Sequence, residues 1–95
     1  MIQSFADKDP QEVDFFNIDF TDQIPSGDAI ASIVSVFVAV GDAALILDQF
    51  AFSGLVVSGR WRGGTLGREY TITARVITSA GRTLDKSGRV RIENT

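Results

Sequence analysis

Ninety-five residues with a 44% apolar share and a net charge of −3 describe one domain, near the lower size at which a core closes unaided. The chain has neither cysteine nor histidine, which excludes disulfides and thiolate metal sites and removes the commonest general base. The longest apolar run, AIASIVSVFVAV at 29–40, holds two serines and is too short to span a bilayer; the N-terminus lacks the basic and apolar regions of a signal peptide.

In chain order, residues 1–12 are polar, contain Pro10 and read as an extended arm ahead of a single domain at 13–95. VDFFNIDF (13–20) is the first predicted strand, and Pro25, Gly27 and Asp28 mark the loop after it. The 29–40 run is β-branched and reads as a central strand with room for a bulge. Gly41 and Asp42 turn the chain into two short strands, ALIL (44–47) and FAF (50–52), followed by LVVSGRW (55–61). EYTITARVIT (69–78) alternates, with Tyr70, Ile72, Ala74 and Val76 on one face and Thr71, Thr73 and Arg75 on the other. Ser79-Ala80-Gly81 makes a three-residue hairpin loop, and RTLDKSGRVRIE (82–93) returns, which sets Arg75 opposite Asp85. No helical period appears. The expected fold is an all-β, immunoglobulin-like β-sandwich of six to seven antiparallel strands. A small barrel is the alternative, distinguished by whether first and last strands pair to close the sheet.

The glycine-rich stretch SGRWRGGTLGREYTIT (58–73) invites a phosphate-binding reading, which the pattern does not support. A P-loop needs a lysine after its glycines and a helix whose amides face the phosphate; here no lysine follows and the next element reads as strand. A dinucleotide fingerprint fails for the same want of a helix. A single Arg62-Gly63-Gly64 triplet is not an arginine–glycine array. The stretch fits a β-corner: Gly63, Gly64, Gly67 and later Gly81 serve turns, Trp61 anchors the core, and Tyr70 opens a strand where a sandwich tyrosine bonds back to upstream backbone.

Charge is unevenly placed. Residues 1–48 carry nine acids and one base, whereas 49–95 carry three acids and eight bases, giving −8 and +5. Two outcomes stay open: separate acidic and basic surfaces, or halves that interleave and neutralise each other. A basic outer face of the last hairpin, with Arg75, Arg82, Lys86, Arg89 and Arg91, is a candidate assembly surface, joined by Lys8, Asp9 and Pro10 of the arm. It lacks the interleaved aromatics of a single-strand nucleic-acid platform. Asp19, Asp22 and Asp28 flank one loop without EF-hand spacing, and whether they bind calcium stays open. No nucleophile–base pair stands out, so neither an enzyme nor a cofactor is expected.

Lys8-Asp9-Pro10, Asp14, Ile18-Asp19-Phe20, Gly27-Asp28-Ala29-Ile30, the run Gly63 to Tyr70, and Thr78-Ser79-Ala80-Gly81-Arg82 carry a resemblance. Together they resemble a family of small tailed-bacteriophage virion proteins, of the fiber–tail adaptor kind, from Lys8 to about Ile92. Phe20 stands where that family's pattern has tryptophan, and Trp61 stands where it has a smaller apolar residue. The resemblance implies a virion structural protein that joins tail or neck to fibers, assembled in the bacterial host cytoplasm. Its implied partners are other virion proteins, in multiple symmetric copies, with no membrane and no nucleic acid. A capsid decoration protein is the alternative within that class, and a nucleic-acid-binding module using the basic hairpin is the alternative outside it.

Overall fold

Runs of β-branched and aromatic residues punctuated by glycine turns give seven strands in the computed structural model, which describes residues 2–94, with no helix among them. They are β1 (Ile2–Ser4), β2 (Asp14–Asp19), β3 (Ile30–Val40), β4 (Leu45–Ser53), β5 (Val56–Gly63), β6 (Glu69–Thr78) and β7 (Thr83–Arg91). Two sheets form, in the orders β1-β7-β6-β3 and β2-β5-β4. Setting β1 aside, β2, β5 and β4 correspond to immunoglobulin strands B, E and D, and β7, β6 and β3 to G, F and C. The order is therefore consistent with that fold, with the first strand on the GFC sheet. First and last strands do pair, Ile2–Ser4 running parallel to Ser87–Arg89. That pairing extends one sheet and leaves the other with its own two edges, so the molecule is a sandwich and not a barrel.

The core lies between the inner faces, where Phe16, Ile18, Val57, Trp61, Tyr70, Ile72, Ala74, Val76, Val90 and Ile92 are buried at alternate positions. The β6–β7 hairpin keeps the register read from its loop length, with Arg75 opposite Asp85 and Tyr70 opposite Val90.

Two expectations need correction. ALIL and FAF are one strand: β4 is continuous through a register shift between Asp48 and Ala51, where Gln49 takes φ 54°. A bulge interrupts the alternation without ending the pairing, which makes one strand look like two in sequence. The 29–40 run lies at a sheet edge rather than at its centre, carrying three register shifts against β6. Such shifts bend an edge and blunt it against further pairing. The N-terminal segment runs along the edge of β7. Beyond β1, Phe5 N–H donates to Arg89 O at 2.9 Å and Lys8 N–H to Arg91 O at 2.9 Å. The Phe5 ring fills the slot above Gly88, where a Cβ would come within 2.2 Å of it. A segment with little apolar surface is ordered because one ring and one main-chain ladder find a prepared edge.

Candidate assembly surface

The glycine-rich corner is built from the ends of several elements. Gly63 and Gly64 have φ of 78° and 102°, and a Cβ on Gly63 would lie 2.4 Å from the Ala44 carbonyl oxygen. Both the backbone conformation and the space therefore require glycine. Gly64 N–H donates to that Ala44 oxygen at 3.0 Å, and Gly67 N–H donates to Ile92 O at 2.7 Å. The Tyr70 hydroxyl accepts the Thr65 N–H at 2.8 Å and donates to Asp42 Oδ1 at 2.6 Å. Thr65 Oγ1 donates to the other Asp42 oxygen at 2.9 Å. These bonds, from the Tyr70 hydroxyl first and the Ala44 N–H next, hold the Asp42 carboxyl below the ordinary carboxylate range. The corner's polar groups are thus turned inward on one another. Asp42 is the residue that sequence reasoning treated only as part of a turn.

Two of the basic residues assigned to the surface are interior. Lys86 is 8% exposed and shares the inward face with Leu84 and Val90; its ammonium donates to Asp19 O and Asp22 Oδ1, both at 2.6 Å. Its parity with those apolar neighbours was the available signal. The hydrogen bond from Lys86 holds the Asp22 carboxyl below its ordinary range. Lys8, only 1% exposed, donates from Nζ to the carbonyls of Asp9 and Gly63, each at 2.8 Å. Burial lowers its affinity for the proton, partly offset by Glu12 and Asp9. The two lysines pin loop and arm to the sheets.

Arg75, Arg82, Arg89 and Arg91 are exposed, while Asp9 and Pro10 are half-buried on the N-terminal segment. Arg75 meets Asp85 in a two-pronged contact at 2.8 and 2.9 Å, Arg89 lies 3.4 Å from Glu69, and Arg91 pairs with Glu93. Between the halves of the chain, Asp48 pairs with Arg60 and Arg62, Asp42 with Arg68, and Asp22 with Lys86. Interleaving therefore neutralises part of the −8/+5 split, three of the nine acids of the first half meeting four of the eight bases of the second. Gly81, with φ 86°, and Arg82 form the exposed tip of the β6–β7 hairpin, and Trp61 is buried between the rings of Phe5 and Phe16. Of the three acids weighed for calcium, Asp22 is spent on Lys86 and Asp28 accepts the Ala29 and Ala80 N–H groups. Asp19 accepts from Thr21.

Large apolar side chains remain outside along β3 and β4: Val34, Phe37 and Val40 on one, Ile46, Phe50 and Phe52 on the other. Phe52 faces Val57 across the ladder, on the inner face of its sheet, yet is 40% exposed. The sandwich is therefore open along this flank, which is more apolar than the surface of an unpartnered protein needs.

A family model described as podophage GP4 fiber-tail adaptor protein gp77 matches residues 8–91. Among curated proteins none matches the chain.

Proposed function

The chain belongs to the podophage GP4 fiber-tail adaptor family, and from that premise we propose that it joins fibers to the tail of a podophage particle. The carrying observation is the family match, which runs from Lys8 through Arg91 and so includes β2 to β7 and the corner. The geometry supports the same reading. The polar groups that could have made a phosphate or metal site are occupied in holding arm, corner and loops together. What the surface offers is an apolar flank on β3 and β4 and a polar outer face on β6 and β7, the material of protein contact rather than of catalysis. In this reading Arg75, Arg89 and Arg91 are rim charges that set encounter and register. Several copies act together at the tail, and the protein is a virion component.

The test is a phage deleted for this gene, with particles purified and their proteins identified by mass spectrometry. The expected particle keeps head and tail proteins and loses the fiber protein together with this chain. A particle that retains fibers but has an unstable head would reject the adaptor reading in favour of capsid decoration.

A further inference from the structure

At the corner end of the sandwich, the N-terminal segment and β2 enclose an open cleft of about 390 Å³. Its wall includes Trp61, which is 6% exposed and whose indole N–H, buried, meets no acceptor. Around it lie Asp7, Glu12 and Asp14. Among the described residues none of the three lies within 4.0 Å of a cation, Asp7 and Glu12 acting on Arg91 and Lys8 only at longer range, whereas Asp22, Asp42, Asp48, Glu69, Asp85 and Glu93 all do. The one cation in the wall, Lys8, is held on two carbonyls, so the cleft keeps a negative excess. The nearby edge of β2 is also unfinished. The Gln3 side chain stands in for a neighbouring strand, donating to Asn17 O at 2.6 Å and accepting from Asp19 N–H at 3.1 Å. Beyond it, at Phe15, the strand edge opens into the cleft.

At the opposite end is the β6–β7 hairpin tip, Ser79-Ala80-Gly81-Arg82, exposed throughout and small except for the arginine. Among the described residues every other arginine is within 4.0 Å of a carboxylate, and Arg82 alone is not. Its charge is felt by Asp28, but Asp28 Oδ1 is taken by two main-chain N–H groups and Oδ2 is buried, so Arg82 does not reach either. Arg82 and the Asp7–Glu12–Asp14 group thus lie toward the two ends of a molecule 41 Å long.

We propose that copies of this chain associate head to tail, the Arg82 hairpin tip of one entering the Asp7–Glu12–Asp14 cleft of the next. A guanidinium suits the site because it can lie on the exposed Phe15 ring in the wall while its planar N–H groups engage carboxylates in pairs. Joining unlike surfaces, such a contact is heterologous and propagates to a ring or a short filament rather than stopping at a two-fold dimer. The inference is independent of which tail or fiber protein the adaptor meets.

The experiment uses the full chain. Sedimentation from roughly 1 μM to 1 mM at low salt is expected to show reversible self-association, weakened at high salt by screening. Arg82→Glu and Asp14→Asn alter exposed side chains without making the altered tip and altered cleft complementary, and unchanged melting and circular dichroism verify that both fold. Each alone is expected to weaken association by about tenfold or more. Mixed together, the two variants retain one intact cleft and one intact Arg82, so they should form a one-to-one dimer and nothing longer. The single tryptophan reports on the cleft directly, and its indole N–H resonance should shift on mixing with Arg82→Glu as the labelled partner. A wild-type chain that stays monomeric at the highest concentration overturns the proposal. So does association that survives both variants, or a mixture that grows beyond the dimer. These results leave the adaptor reading standing, which depends on particle composition.

Discussion

At the residue scale, the decisive groups are polar ones buried against carbonyls and carboxylates. Tyr70→Phe removes a hydroxyl that satisfies both the Thr65 N–H and Asp42, and should lower stability by about 1–3 kcal/mol. Thermal denaturation of the variant checks this, and an unchanged midpoint would mean that the corner is held by its glycines alone. Lys8→Met keeps the stem and its packing but leaves the Gly63 and Asp9 carbonyls without their donor. A loss of about 1–3 kcal/mol is expected there too. The accompanying loss of amide protection at Phe5 and at Lys8 itself would locate the damage in the N-terminal tie.

At the element scale, the last hairpin is the best-determined unit. Gly81 has φ 86° with nothing within 4 Å of a would-be Cβ, so Gly81→Val isolates backbone strain from crowding. Its expected effect is a destabilisation of about 1 kcal/mol or more, seen as a lower melting temperature. Replacing Arg89 and Arg91 with glutamate together tests the outward face of β7. Both are exposed and paired to Glu69 and Glu93, and exposed pairs contribute about 0–1 kcal/mol each. The double variant should fold with a native circular dichroism spectrum. An unfolded product would invert the face assignment, because a one-residue slip exchanges core and solvent.

At the scale of the whole molecule, ion pairs between distant parts of the chain tie its stability to carboxylate ionisation. Asp22, Asp42, Asp48 and Asp85 all lie below the ordinary carboxylate range, through hydrogen bonds from Lys86, Tyr70, Arg60 and Arg75 respectively. A depressed folded-state value means that the unfolded chain binds the proton more tightly. Their contribution is therefore complete above the unfolded carboxylate value of about 4 and is lost as pH falls through the lower folded values. Melting temperature should be level above about pH 5 and decline below about pH 4. Asp42→Asn should make that decline shallower, and a curve parallel to the wild type would remove Asp42 from the account.

The positions of β2, β5, β6 and β7, the three-residue hairpin and the inward faces of β5 and β6 were legible from the sequence, since period-two alternation and turn glycines are local properties of the chain. The role of the glycine-rich stretch was legible by the same means, because a phosphate site would have needed a helix that the pattern lacks. The resemblance carried by the turn motifs reached the family that residues 8–91 match. Tertiary structure decided what depends on neighbours distant in the chain. Lys8 and Lys86 are charged residues in sequence and interior ties in space, because carbonyls 55 and 67 residues away receive them. β3 has the composition of a central strand, but its bulges and the sheet order leave it at an edge. The charge split between the halves is partly neutralised where the strands interleave, since an ion pair depends on separation in space and not on position along the chain.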